Sequence, residues 1–172
     1  MQDGGRDGAL RRPRTPQRGV PTTLPVRKRL PHEAPFWVDP NKADYFITIC
    51  CEHRGRNQLA NTRTANGLIE TIKYRNANAI WFIHLALIMP DHVHFLVAFP
   101  ENEKRIETIM SKWKEWTAKT LKIHWQRDFF EHRLRKAESF REKADYILAN
   151  PVRSGLVRRA EDWPHVYLAE PW

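Results

Sequence analysis

Cysteine is nearly missing from this chain: two occur in 172 residues, and they are adjacent, Cys50 and Cys51. Neighbouring residues of a strand point to opposite faces, so the pair suits neither a mutual disulfide nor a shared zinc site. An intracellular, reducing setting is expected. Long hydrophobic runs are missing too. No stretch approaches the roughly 18 apolar residues of a membrane span, and the N-terminus lacks the apolar centre of a secretory signal. A cytoplasmic location with no membrane partner is therefore expected. Acidic residues are in deficit, 20 against 29 Lys and Arg, which leaves a net charge of +9 and favours a polyanionic partner.

The excess charge is unevenly spread. Residues 1–36 hold eight Lys or Arg against three Asp or Glu, while the other 136 hold 21 against 17. The same segment carries Pro13, Pro16, Pro21, Pro25, Pro31 and Pro35 without hydrophobic periodicity, so it cannot bury enough surface to offset its ordering entropy. Residues 1–40 are expected to form a disordered basic arm, and 41–172 a single domain with seven tryptophans in the whole chain available for a core. The arm could add salt-sensitive phosphate contacts, or be an incidental extension.

From Asp44 onward the pattern is ordered. Tyr45 to Cys50, β-branched and aromatic, reads as a strand, followed by a polar loop from Glu52 to Gln58. Helical spacing of Leu68, Ile69 and Ile72 predicts a helix over 64–78, and Trp81 to Met89 reads as a second strand. Pro90-Asp91 turns the chain into a third strand, antiparallel to the second. A second helix is predicted over 104–122, a fourth strand over 129–135, and a last helix over 137–150 stopped by Pro151. This order predicts an α+β fold, a ferredoxin-like split βαβ sandwich: an antiparallel sheet with helices on one face and the other face open.

On the third strand His92 and His94 share one side, roughly 7 Å apart, while Val93, Phe95 and Val97 take the other. Two converging imidazoles can hold one metal ion. In the last helix Lys143, Tyr146 and Asn150 form one stripe, and Phe140, Ala144, Ile147 and Leu148 a separate apolar arc. Core packing can thus be satisfied without Tyr146, which leaves its phenol free to face the histidines. A phenol is ordinarily protonated near neutral pH and needs assistance to act as a nucleophile. Asn150 could offer a carbonyl oxygen as a third ligand beside His92 and His94, with water and phosphate oxygens completing the shell of Mg²⁺ or Mn²⁺. Tyr146 also fits an amphipathic boundary position, and Asn150 a helix C-terminal one. Arg105, Lys112 and Lys119 recur every seven residues on the second helix, and with Lys143 they are candidate DNA contacts, though such a row also fits a solvated face. Trp113, Trp116 and Trp125 could stack on bases or fill the core.

These motifs resemble a known family. Met89-Pro90-Asp91-His92-Val93-His94 resembles the His-hydrophobe-His motif of HUH endonucleases. The run from Asp145 to Val157, with Asp162-Trp163-Pro164, resembles the C-terminal signature of REP-associated tyrosine transposases; Tyr45 to Thr48 and Trp125 to His132 are similar to that family as well. The likeness covers residues 42–168. It implies a ferredoxin-like domain that cuts and rejoins single-stranded DNA through a 5′-phosphotyrosine, leaving a free 3′-hydroxyl, with His92 and His94 as metal ligands and Tyr146 as nucleophile. It further implies palindromic hairpin DNA as partner; monomer and homodimer both stay open. A noncatalytic DNA-binding regulator on the same sheet is the main alternative. A zinc hydrolase lacks supporting ligands, and an RRM lacks its basic-Gly-aromatic strand.

Overall fold

The computed structural model describes residues 43–100, 106–134 and 137–169. The elements run β1 (Asp44–Cys50), α1 (Thr62–Ala77), β2 (Phe82–Ile88), β3 (His92–Ala98), α2 (Ile106–Leu121), β4 (Phe130–Arg133), α3 (Ala137–Leu148), α4 (Asn150–Arg153) and β5 (Val166–Leu168). The proposed arm, residues 1–40, lies outside the described residues, as does Arg105. The strands form one sheet in the order β4-β1-β3-β2-β5, antiparallel throughout. The chain is thus α+β, with β-α-β-β-α-β as its first six elements. The fifth strand was not foreseen: three residues are too few to show a period, and their place at the edge comes from pairing with Leu85 to Leu87.

Local chemistry explains the boundaries. Asn61 caps α1, its Oδ1 accepting from Thr64 N at 3.0 Å, which places the start two residues before the predicted Thr64. Between β2 and β3, Met89 N–H donates to the His92 carbonyl at 2.8 Å, closing the tight turn that Pro90-Asp91 announced. β4 ends at Arg133, short of the predicted Arg135, which lies outside the described residues.

The sheet is packed on both faces, which corrects the expectation of one open face. Beneath α1 and α2, Val93, Phe95 and Val97 join Ile47, Ile49, Leu68, Ile72 and Met110. Trp81, Phe95 and Trp113 are fully buried there, with ring centroids 5.3–6.0 Å apart. Each such aromatic removes about 200 Å² from water, worth about 5 kcal/mol at ~25 cal/mol per Å². That settles the role of Trp113; Trp125 is half-buried against the same cluster, and Trp116 is 46% exposed. On the opposite face Phe46, Leu85, Leu87, Met89 and Leu96 form a smaller core with Ala144 and Ile147 of α3. The apolar arc of the last helix thus needs its own sheet face to bury against, and it takes the one that carries the histidines.

Pro151 does not stop the helical path. Ala149 stays right-handed (φ −75°, ψ −12°), and α4 follows with Pro151 near its start. Proline has no N–H to give the Ile147 carbonyl, and Asn150 Nδ2 donates to that oxygen at 3.1 Å and to the Tyr146 carbonyl at 2.9 Å. The side chain before the proline makes the hydrogen bond that the proline cannot. Gly155, at φ +67°, then ends α4 in the left-handed conformation that glycine tolerates best.

Candidate active site

Strand alternation places Thr48, His92 and His94 on the α3 side of the sheet, with Thr48 opposite His94 and Cys50 opposite His92 in the β1–β3 register. The two imidazoles converge more closely than strand rise alone suggests: ring centroids lie 4.6 Å apart and the Nε2 atoms 3.1 Å apart. Each ring is anchored through its other nitrogen. His92 Nδ1 donates to Asp91 Oδ1 at 2.6 Å, and His94 Nδ1 meets Thr48 Oγ1 at 2.8 Å. A carboxylate fixes the His92 proton on Nδ1 and turns a lone pair toward His94. A hydroxyl both donates and accepts, so Thr48 serves either His94 tautomer.

Burial keeps both rings neutral. His94 is 7% exposed, and burial first, then the charges of His92, Arg54 and Lys143, push its pKa down to about 3. His92 is also held below the ordinary histidine range by burial, against the pull of Asp91. Burial would raise Asp91, but the Gly55 N–H, His92 and Arg54 outweigh it and hold the carboxyl below its usual range. Neutral imidazoles are what metal coordination requires, and in the tautomer in which His94 Nδ1 donates to Thr48 both Nε2 lone pairs face a common point. Neighbouring donors about 2.1 Å from an octahedral ion lie about 3.0 Å apart, so the observed Nε2 separation suits two adjacent positions of one shell. Among the described residues no third His, Cys, Asp or Glu joins them. Asn150 has its amide nitrogen committed to α3, which leaves Oδ1 as the only atom it could offer an ion.

Tyr146 stands on the exposed side of α3, 42% accessible. Phe46 links it to the histidines: its ring stacks on His94 at 5.5 Å and meets Tyr146 edge-on at 6.4 Å. Two cations flank the phenol. Lys143 Nζ lies 5.3 Å from the ring centroid and Arg153 Cζ 4.9 Å. Lys143 also lies 4.9 Å over Phe46, so among the described candidate DNA contacts it alone is brought to the site. Lys112 and Lys119 are exposed on α2, which packs on the opposite face of the sheet.

Several residues of this arrangement escaped sequence reasoning. Arg153 is seven positions beyond Tyr146, a helical repeat hidden by ending the helix at Pro151. Asp91 was legible as a turn residue, but its contact with His92 needs the turn geometry. Thr48 and Phe46 reach the site only through the β1–β3 register, which periodicity does not reveal.

The model of the family described as "Transposase IS200 like" matches residues 41–145. A REP-associated tyrosine transposase of Escherichia coli (strain K12) is 31% identical over 125 residues, covering 70% of this chain and 73% of that protein. A solved structure of a REP-associated tyrosine transposase bound to a REP hairpin superposes with a TM-score of 0.65 at 24% identity, covering 78% of this chain and 80% of the other. The chain belongs to the IS200-like transposase family, and it is related to the REP-associated tyrosine transposases. The matched span contains both histidines and ends at the residue before Tyr146.

Proposed function

We propose that this protein cuts and rejoins single-stranded DNA at hairpin-associated sites, with Tyr146 as nucleophile and a divalent cation, Mg²⁺ or Mn²⁺, held by His92, His94 and Asn150 Oδ1. The β-α-β-β-α-β run is read as a ferredoxin-like sandwich to which α3 adds the nucleophile. The observation that carries the proposal is the placement of Tyr146 over the same sheet face as the paired Nε2 atoms, one phenyl ring away from His94. Hairpin DNA as partner is taken from the solved relative, and the net charge of +9 agrees with it.

The chemistry is a phosphodiester exchange. Tyr146 Oη gives up its proton to water and attacks phosphorus, forming a new P–O bond; the bond to the 3′ oxygen breaks, and that oxygen leaves with the electron pair and takes up a proton from water, so the exchange is proton-neutral. The 5′ end is then esterified to Tyr146. One phosphodiester has replaced another, so the 3′-hydroxyl can attack in reverse and reseal the strand without ATP. Lys143 and Arg153 bring positive charge to the phenol, where a phosphate must be met. Asp91 and Thr48 hold the imidazoles in place. A bound divalent cation would offset the negative charge that grows on the phosphate oxygens.

Wild type and Tyr146→Phe, incubated in parallel with labelled single-stranded hairpins and Mn²⁺, test the proposal. The wild type is expected to nick the strand and retain a denaturation-resistant DNA adduct, and the variant to bind with similar affinity and do neither. A variant that still cuts at the same position removes Tyr146 from the role of nucleophile. A wild type that binds but never cuts with any divalent cation supports the DNA-binding regulator instead.

A further inference from the structure

The loop between β1 and α1 is laced to the β2–β3 turn that carries Asp91. Cys51 N donates to the Asp91 carbonyl at 2.8 Å, and Gln58 N and Leu59 N donate to the Pro90 carbonyl at 2.9 and 3.0 Å. Gly55, at φ +75°, directs its N–H to Asp91 Oδ2 at 2.6 Å. The loop therefore sits at a fixed place beside His92. The adjacent Arg54 places its Nε 3.2 Å from the same Oδ2, while the other carboxylate oxygen holds His92.

This ion pair is unusual in what it leaves unused. An arginine recruited only to neutralise a carboxylate commonly presents two parallel N–H bonds. Here Arg54 gives one edge nitrogen, the Asp91 oxygens are already occupied by His92 and Gly55, and the side chain stays 48% exposed. Among the described residues its Nη1 and Nη2 donate to no acceptor. Asp91 thus ion-pairs with the Nε edge of the guanidinium and leaves the other edge, a planar fork that matches two phosphate oxygens, unengaged among the described residues. Its positive field reaches both His92 and His94. An anion that meets the paired Nε2 atoms would enter that field.

We propose that Arg54 is a substrate-binding residue: with Nε ion-paired to Asp91, its two Nη nitrogens hold the scissile phosphate beside the histidine pair. The assignment rests on the cleavage reading above. It adds a direct link, since one carboxylate orients both a histidine and the phosphate-holding fork.

The test uses the hairpin oligonucleotide that the wild-type protein cuts, bound in EDTA by protein carrying Tyr146→Phe, so that neither metal nor chemistry contributes. Adding Arg54→Gln is expected to weaken binding about tenfold and to flatten the slope of log affinity against log salt by about 0.7, the loss of one single-strand phosphate contact. Arg54→Lys keeps the charge and is expected to retain the slope while losing part of the affinity. Replacing the scissile phosphate by an uncharged methylphosphonate should cost the Arg54 protein about tenfold more than it costs the Arg54→Gln protein, which keeps Lys143 and Arg153. Independent, additive losses, or an unchanged salt slope, would overturn the assignment and reduce Arg54 to a loop-holding role. If the wild type cuts a hairpin but Arg54→Gln binds it normally, only the Arg54 proposal fails. If no hairpin is cut, the cleavage reading fails and this proposal with it.

Discussion

The buried, neutral state of His94 makes a quantitative claim about acid stability. A free histidine takes up a proton near pH 6.5, whereas folded His94 resists until about pH 3. Because the folded value is depressed, the unfolded chain binds more protons as pH falls below 6.5, and folded stability declines with it. The contribution is absent above that pH and grows toward pH 3. At pH 5 the difference amounts to about 2 kcal/mol, a large fraction of an ordinary domain's margin. His92, depressed by the same burial, adds in the same direction. The perturbation is His94→Gln, which removes the titrating group and retains a polar side chain able to meet Thr48. Urea unfolding in EDTA at pH 8, 6.5 and 5 would give the stability of each protein. The wild type is expected to lose about 2 kcal/mol more than the variant between pH 8 and 5. Equal losses would refute the claim that His94 is held neutral, and with it the argument that the site is prepared for a metal.

Two further expectations concern the residues around the site. Asp91→Asn removes the charge that orients His92, so Mn²⁺ affinity, followed by the loss of its free-ion EPR signal, should fall about 10- to 100-fold; unchanged affinity would contradict the anchoring role. The double variant Lys112→Gln, Lys119→Gln should leave cleavage of a short single-stranded substrate within about twofold, because these side chains lie on the helix layer away from the histidines and exposed charges there are screened beyond ~10 Å. A loss of tenfold or more would mean that the DNA path crosses α2.

Much of the fold could be read because its signals were local. Alternation in β3 sorted His92 and His94 from Val93, Phe95 and Val97, and helical spacing found α1 and α2. The side chosen by α3 was not local information. Its apolar arc said that it buries something, and only the second sheet face, with Phe46, Leu85, Leu87 and Leu96, shows what. Tyr146 stands one ring away from His94, across Phe46, while the other residues around the histidines come from register and turns. Thr48 arrives across the β1–β3 ladder, Asp91 through a turn, and Arg153 past a proline whose missing hydrogen bond Asn150 makes. A proline is a sound stop signal when nothing nearby can donate in its place. Asn150 supplies that donor.

The central claim, that Tyr146 joins covalently to DNA beside the histidine pair, is tested most directly by peptide mapping of the wild-type protein after incubation with a labelled single-stranded hairpin and Mn²⁺. A nucleotide mass on the peptide containing Tyr146, with a free 3′-hydroxyl on the released strand, is the predicted result. Cleavage with no modified peptide, or with the nucleotide on any other residue, would contradict it.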